Sequence, residues 1–193
     1  MRIVAGIARG RRLRAPKGRL VRPTADRVKE ALFSILESRE SSAGRAVLDL
    51  FAGAGTLGIE ALSRGATEAV FVEPSRAASE AIQDNLRAAG LDGEVLAMPA
   101  DRAIKHLAAA GRRFDRVFLD PPYGEGWIGR TLTALAATDV VADGGWIVVE
   151  HGRGEDPAPA IGRFTQELSR RYGDTQIALY RAGAERGGSD GDA

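Results

Sequence analysis

The spacing of hydrophobic residues changes at about residue 46, and from there to residue 150 two patterns alternate. Short apolar runs predict strands over residues 46–51, 69–73, 94–98, 116–120 and 145–150. Between them, apolar residues recur every three or four positions and predict helices over residues 56–63, 75–89, 102–110 and 128–137. Repeated strand–helix units of this kind predict an α/β fold with a mostly parallel sheet and helices on both faces.

The beginning of the chain follows a different pattern. Residues 1–22 alternate weakly between apolar and basic positions around glycines, which predicts a short basic hairpin or arm. Thr24 follows Pro23 and is the predicted N-cap of a helix that has Asp26 in its first turn.

The end of the chain predicts a hairpin and a tail. Residues 164–172 and 175–181 flank a Gly-Asp turn, so we expect an antiparallel hairpin at the sheet edge and seven strands in all. We therefore place the main domain at residues 23–181. Residues 182–193 have nothing to bury, and we expect them to be a disordered tail.

Composition excludes several kinds of chemistry. The 193 residues include no Cys and two His, which excludes disulfides, zinc held by Cys and a thiolate nucleophile. With only two His, we expect no His-rich metal site. No apolar stretch reaches the roughly 18 residues that would span a bilayer. We expect a cytoplasmic monomer that uses neither metal nor membrane.

Charge is distributed unevenly along the chain. Residues 1–29 hold ten Arg or Lys and one acid, whereas the rest of the chain holds 17 basic and 25 acidic residues. A basic segment on an acidic body is typical of proteins that approach nucleic acid from one side. An Arg-rich segment that only contacts solvent would give the same count, because the chain uses 24 Arg and 3 Lys. Charge alone leaves both interpretations open.

The first predicted strand runs into a G-x-G-x-x-G motif at residues 53–58, just before a predicted helix. Glycines permit positive φ angles and let a ligand approach the backbone at the positive end of that helix. Glu73 ends the second predicted strand 20 residues after Gly53, where an acid can accept hydrogen bonds from ribose hydroxyls. This spacing favours a nucleoside cofactor over a merely structural turn.

Two further acids bear on the choice of cofactor. Asp49 precedes the glycines, where its charge would repel a pyrophosphate and attract an ammonium or sulfonium group, so it favours S-adenosylmethionine over NAD. Asp101 follows the third predicted strand and could reach the adenine amino group. It could equally be the N-cap of the next helix, which is compatible with binding.

Asp120-Pro121-Pro122-Tyr123 follows the fourth predicted strand. Because proline fixes φ and favours an extended preceding residue, the Asp120 carboxylate and the Pro121 carbonyl can face one ligand. They could hold both N–H bonds of a nucleobase amine, with Tyr123 as a stacking surface, so that the nitrogen lone pair points at a sulfonium methyl group. The alternative is a proline-stiffened loop that caps the sheet, but the glycine motif and Glu73 in the same chain favour an amine site.

These motifs resemble those of known proteins. Residues 120–123 together with residues 48–55 resemble the class I, Rossmann-like amino-group methyltransferases. Residues 2–6, 22–33 and 58–66 further resemble the RsmD family of bacterial 16S rRNA guanine-N2 methyltransferases. The likeness runs from residue 2 to about residue 181, and Trp127 and the tail depart from it.

The resemblance implies S-adenosylmethionine as methyl donor and a guanine of 16S rRNA in the small ribosomal subunit as acceptor. It implies cofactor binding by Asp49, Phe51, Gly53, Gly55, Glu73 and Asp101. It implies catalysis by Asp120, Pro121, Pro122 and Tyr123. With this substrate, the basic residues that we expect to contact RNA are Arg9, Arg11, Arg12, Arg14, Arg22 and Arg27.

Two other functions remain open at this point. A DNA adenine-N6 methyltransferase would share the Asp-Pro-Pro-Tyr motif, although such enzymes usually need a separate sequence-reading region for which this chain has no room. A non-catalytic RNA-binding assembly factor could keep the same fold. Neither His is assigned a role: we expect His106 on a helix surface and His151 in a loop.

Overall fold

The computed structural model describes residues 1–15 and 26–184. Its helices are α1 (Asp26–Arg39), α2 (Thr56–Ser63), α3 (Arg76–Ala89), α4 (Ala100–Ala109) and α5 (Trp127–Ala136). Its strands are β1 (Ala46–Leu50), β2 (Glu68–Val72), β3 (Glu94–Leu96), β4 (Phe114–Leu119), β5 (Val141–Gly152), β6 (Ala160–Ile161), β7 (Phe164–Tyr172) and β8 (Thr175–Ala182). Arg22, the predicted N-cap Thr24 and residues 185–193 of the predicted tail lie outside the described residues.

All eight strands form one sheet in the order β3-β2-β1-β4-β5-β8-β7-β6. The first five strands in this order are parallel, and β8, β7 and β6 continue the sheet in antiparallel fashion. The predicted α/β architecture is confirmed. In an open parallel sheet, ligands bind outside the carboxyl ends of the strands, and the motifs singled out above follow β1, β2 and β4.

Most predicted boundaries are within one or two residues of the observed ones, and three further differences lie in the second half of the sheet. The sheet has eight strands rather than seven, because β6 is a two-residue strand that is too short to show a pattern. Strand β5 is twice as long as predicted, because its ends pair with Phe114 of β4 and Thr175 of β8. Ala182, expected to begin the tail, is a buried residue of β8.

The sheet separates two hydrophobic clusters, because successive side chains of a strand point to opposite faces. On one face, helices α1, α2 and α3 pack against residues such as Val47, Phe71 and Phe118. On the other face, α4 and α5 pack against residues such as Leu48 and Val117. The five parallel strands are therefore covered by helices on both sides, as in other parallel sheets.

Residues 1–15 form a hairpin, which we call the N-terminal hairpin, with an antiparallel bridge between Arg2 and Arg12. It is not a free arm, because Ile3, Ala8 and Leu13 are buried in the same hydrophobic cluster as α1, α2 and α3. At Gly6 (φ 84°), a Cβ atom would lie 1.7 Å from the carbonyl oxygen of Ser63. The hairpin therefore packs closely on the end of α2.

A buried carboxylate fixes this hairpin to the body of the protein. Glu60 of α2 has no exposed surface and accepts hydrogen bonds from the backbone N–H groups of Val4 (2.8 Å) and Ala5 (2.9 Å). Its oxygens also lie 3.2 Å from Lys29 Nζ and 2.9 Å from Arg64 Nε. Lys29 is itself buried and donates a hydrogen bond to a hairpin carbonyl. We call Glu60, Lys29 and Arg64 the Glu60 anchor.

Candidate active site

The loop after β1 has a strained backbone. Phe51 adopts a φ of 71°, and within the described residues it is the only residue other than glycine with a positive φ. Gly53 (φ 56°) and Gly55 (φ 77°) follow in the same left-handed region, and Gly55 is the N-cap of α2. A bulky residue with positive φ is held there only when its surroundings enforce the conformation, and such sites cluster where ligands bind. We call residues 51–55 the glycine loop.

The third glycine of the motif serves packing. A Cβ atom at Gly58 would lie 2.4 Å from the Phe71 ring, so only glycine lets α2 lie this close to β2. A Cβ atom at Gly53, by contrast, would meet nothing within 4 Å. The two glycines thus have different tasks: Gly58 brings the helix against the sheet, and Gly53 leaves space above the loop.

Glu73 ties the glycine loop to the end of β2. One of its carboxylate oxygens accepts a hydrogen bond from Gly53 N (3.0 Å) and the other from Ser75 N (2.9 Å). The side chain is buried, with 3 % of the residue exposed. A carboxylate oxygen can accept more than one hydrogen bond. The predicted contact with ribose hydroxyls stays a prediction.

Asp49 lies in β1, beneath the glycine loop. Its Oδ2 atom accepts a hydrogen bond from Gly58 N at 2.9 Å. Burial raises the pKa of this carboxyl group to about 7; the Gly58 hydrogen bond opposes the rise and the charge of Glu73 adds to it. Asp49 therefore stabilises the start of α2, and its carboxyl group is a titratable group below the glycine loop.

The strand register places other acids beside Asp49. Asp49 is level with Phe71 of β2 and with Phe118 of β4, and Phe118 is level with Val148 of β5. Since alternate residues of a strand share a face, the residues two positions after these partners follow on the same face as Asp49. They are Glu73, Asp120 and Glu150. We call Asp49, Glu73, Asp120 and Glu150 the acidic row.

Asp120 lies directly after β4, next to the carboxyl ends of β1 and β5. Desolvation raises the pKa of Asp120 well above its ordinary value, and the charges of Glu150 and Asp49 raise it further. Perturbed carboxyl groups that are close together are a feature of functional sites. The structure thus brings Asp120 close to Asp49 and Glu150, and the catalytic role of Asp120 stays a prediction.

The rest of the Asp-Pro-Pro-Tyr segment differs in exposure. Pro121 is buried and Pro122 is exposed. The Tyr123 ring lies against Gly152 at the end of β5, where a Cβ atom would come within 3.0 Å of it. Tyr123 is nevertheless 37 % exposed. Among the described residues, Ile7 is the only other large hydrophobic residue that is exposed. A partly exposed aromatic ring at this edge of the sheet suits stacking.

Asp101 is not an N-cap. Helix α4 begins one residue earlier than Asp101 and is capped by Pro99, so Asp101 lies exposed in the first turn. The structural alternative proposed for it from the sequence is therefore wrong. Contact with adenine stays a prediction.

The predicted RNA-binding arginines are not equivalent. Arg9, Arg12 and Arg14 are exposed on the N-terminal hairpin, as is Arg27 on α1. Arg11 is exposed too, but its Nη1 atom donates a hydrogen bond to the carbonyl of Ala88 at the end of α3 (2.5 Å). A cation at a helix C-terminus is favourable, so Arg11 has a structural role as well.

Sequence reasoning missed several residues at this edge of the sheet. In the sequence, Glu150 is only the last residue of a predicted apolar strand. Its position beside Asp120 depends on the register between β4 and β5. Trp127, noted only as a departure from the family pattern, lies edge-on to Phe51 with ring centroids 5.9 Å apart. His151 is buried in β5 rather than in a loop, because β5 extends to Gly152. His106 is exposed on α4, as expected.

Comparison with known proteins identifies the family. The family described as Conserved hypothetical protein 95 matches residues 1–181. The chain is 36 % identical over 193 residues to the Escherichia coli protein named Ribosomal RNA small subunit methyltransferase D, covering 100 % of this chain and 94 % of that protein. The chain belongs to the RsmD family. A Haemophilus influenzae protein of the same name is 34 % identical over 152 residues, which is 78 % of each chain.

Solved structures confirm the Rossmann-like methyltransferase fold of this RsmD family member. The hypothetical protein TTHA0928 from a Thermus species superposes with a TM-score of 0.81 at 33 % identity, covering 93 % of this chain and 98 % of that one. SMU.776, solved in complex with SAH, has a TM-score of 0.67 at 13 % identity, covering 81 % of this chain and 48 % of that one. At 13 % identity, the similarity to SMU.776 shows only that the fold is shared.

Residues 1–15 and 26–184 contain no cluster of three or more His, Asp or Glu side chains arranged to hold a metal ion. No helix in this part of the chain has both the length and the apolar surface to cross a membrane.

Proposed function

We propose that this chain transfers a methyl group from S-adenosylmethionine to the exocyclic N2 amino group of a guanine in 16S rRNA of the small ribosomal subunit. The observation that carries this proposal is the position of Asp120, beside the glycine loop and within the acidic row. The names of the Escherichia coli and Haemophilus influenzae relatives support the rRNA substrate, and the sequence resemblance supports guanine N2.

The residues at the glycine loop fit a cationic nucleoside cofactor. Gly53 leaves open space, and the loop lies at the N-terminus of α2. The charges that perturb Asp49 and Asp120 are those of other carboxylates, so a cation beside them is favourable and a pyrophosphate is not. Asp49, Phe51, Gly53, Gly55 and Glu73 would hold the cofactor, with Asp101 near adenine. When bound, S-adenosylmethionine supplies a methyl group on a positively charged sulfur.

A nearby cation also prepares Asp120 for its role. Because opposite charge favours the ionised form of an acid, the pKa of Asp120 falls when a cation occupies the site. The ionised carboxylate accepts one N–H bond of the guanine amine, and the Pro121 carbonyl accepts the other. The partly exposed Tyr123 ring stacks on the purine.

The methyl transfer then needs no base. With both N–H bonds held, the amine lone pair is directed at the methyl carbon; the N–C bond forms as the C–S bond breaks, and the electron pair of that bond stays on sulfur. Positive charge develops on nitrogen, where the Asp120 carboxylate stabilises it. The surplus proton leaves the nitrogen for water.

The exposed hairpin arginines give the protein a surface for RNA phosphates. A target base must leave its stack to present its amino group, and an RNA loop lowers the cost of doing so. Arg9, Arg12 and Arg14 are exposed, and none of the ion pairs between described residues includes them. These arginines would hold the phosphates while Tyr123 holds the base.

The test is transfer of labelled methyl groups. The purified protein and labelled S-adenosylmethionine are incubated with small ribosomal subunits from a strain that lacks this methylation, and separately with plasmid DNA. We expect label in 16S rRNA and none in DNA. Label only in DNA would overturn the proposal in favour of an adenine-N6 enzyme. Binding to subunits without any transfer would overturn it in favour of a non-catalytic assembly factor.

A further inference from the structure

Asn85 is the only asparagine in the chain, and it lies between the two regions that the proposed function assigns to RNA and to cofactor. It is on α3 and 1 % exposed. A buried amide is costly unless its polar atoms are hydrogen-bonded. The partners of this side chain therefore indicate what it is for.

Within the described part of the chain, the Asn85 side chain makes three hydrogen bonds, all to backbone atoms of other segments. Its Oδ1 atom accepts from Arg14 N at 2.8 Å, and its Nδ2 atom donates to the carbonyl of Arg14 at 3.0 Å. The same Nδ2 atom donates to the carbonyl of Ala54 at 2.9 Å. Arg14 belongs to the N-terminal hairpin and Ala54 to the glycine loop, so one side chain joins the two.

The chemistry of the partners fixes the orientation of the amide. An N–H group needs an acceptor and the two carbonyls need donors, and among neutral side chains a carboxamide offers both. The Ala54 carbonyl lies between two residues at positive φ, Gly53 and Gly55. Its direction depends on a backbone that glycine leaves free to rotate, and the Asn85 hydrogen bond restrains it.

We propose that Asn85 is a positioning residue that couples RNA binding at the N-terminal hairpin to cofactor binding at the glycine loop. This inference rests on the proposed function. RNA that binds the hairpin acts on the Arg14 backbone and hence on the Asn85 amide, which holds the Ala54 carbonyl at the cofactor site. Because one amide contacts both segments, a shift of either segment changes the hydrogen bond to the other, so the two ligands bind cooperatively. By linkage, each ligand strengthens the other by the same factor.

The test measures this factor directly, without turnover. The affinity of the protein for small ribosomal subunits is determined by filter binding with and without saturating S-adenosylhomocysteine, and the binding of S-adenosylhomocysteine alone is measured by calorimetry. For the wild type we expect the cofactor product to tighten subunit binding by a factor of about 5–150. For Asn85→Asp, which turns a donor into an acceptor facing two carbonyls, we expect a factor near one.

Matched variants separate coupling from other effects. Gln83→Glu makes the same amide-to-acid change at an exposed position of α3 and should keep the wild-type factor. Arg14→Ala removes a basic side chain but keeps the backbone atoms that Asn85 contacts, so it should weaken subunit binding and keep the factor. If Asn85→Asp does not fold, Asn85→Ala is measured in its place.

The outcomes distinguish the inference from the function on which it rests. A wild type that methylates subunits but shows a factor near one contradicts the coupling alone. A factor that Asn85→Asp or Asn85→Ala leaves unchanged contradicts the role of Asn85. A wild type that binds S-adenosylhomocysteine but neither binds nor methylates subunits overturns both.

Discussion

The protein buries carboxylates in two places and treats them in opposite ways. Under the N-terminal hairpin, Glu60 is surrounded by two cations, Lys29 and Arg64, and by backbone N–H groups. In the acidic row, the charges that act on Asp49 and Asp120 come from other carboxylates. A compensated buried acid holds structure together, whereas an uncompensated one is unfavourable until a cation arrives. We therefore assign the hairpin junction a structural role and propose that the acidic row is where the cationic cofactor binds.

The largest effect should come from breaking the compensated site. Glu60→Gln leaves Lys29 buried without its partner and places an amide N–H group against a hairpin N–H group. Removing one member of a buried ion pair costs about 3–5 kcal/mol, so the free energy of unfolding should fall by that amount in urea titration. The control is Glu80→Gln in the exposed pair Arg76–Glu80, where a change of at most about 0.5 kcal/mol is expected. Equal losses in the two variants would contradict the contrast.

A substitution in the acidic row should lower activity without lowering stability. Asp120→Asn removes the acceptor that stabilises charge on the amine, and we expect methyl transfer to fall by about 10²–10³-fold, the usual cost of losing one such group. Because burial and the neighbouring carboxylates disfavour the ionised form of Asp120, a neutral amide in its place should not lower the free energy of unfolding at neutral pH. Asp139→Asn, at an exposed position, is the control for both assays. A variant that unfolds more easily yet keeps its activity would assign Asp120 a structural role.

The pH dependence of stability sharpens the same contrast. Since folded Asp49 has a pKa raised to about 7 from 3.8, its contribution to stability is fully present below about pH 4 and is lost as the pH rises through 7. Asp49→Asn keeps an acceptor for Gly58 N–H and stays neutral. We therefore expect the variant to match the wild type in urea titration at pH 4 and to exceed it at pH 8. A wild type that gains stability over this range relative to the variant would contradict the raised pKa.

The smallest effect concerns the exposed face of the hairpin. If about five cations contact phosphates, the logarithm of the affinity for RNA should fall with the logarithm of the salt concentration at a slope of roughly −3.5 to −4.5. Arg12→Ala should make this slope shallower by about 0.7–0.9 without altering stability. Arg76→Ala, on the exposed face of α3, should leave the slope unchanged. A slope near zero for the wild type would remove the hairpin from RNA binding.

Local sequence patterns were sufficient for the parts of the fold that depend on neighbours in the chain. Alternating strand and helix patterns predicted the parallel sheet, and the spacing of glycines predicted the loop over α2. The contacts that hold the N-terminal hairpin on the body of the protein join distant residues. Glu60 reaches Val4 across 56 positions and Asn85 reaches Arg14 across 71, so periodicity along one segment could not reveal either contact.

The same reason explains the errors at the edge of the sheet. Glu150 and His151 follow an apolar run, and a strand there could end at either residue. Pairing with β8 carries β5 on to Gly152, which buries His151 and sets Gly152 against Tyr123. The positions of His151 and Gly152 thus depend on the register between β5 and β8, which cannot be read from the sequence of one strand.

The most direct test of the central claim identifies the methylated nucleoside. Small ribosomal subunits from a strain without this methylation are treated with the protein and S-adenosylmethionine that carries a deuterated methyl group, and the 16S rRNA is digested and analysed by mass spectrometry. We predict deuterated N2-methylguanosine with the wild type and a loss of at least about 10²-fold with Asp120→Asn. Deuterium on any other nucleoside, or equal labelling by Asp120→Asn, would show that the acidic row does not deliver the methyl group to a guanine amine.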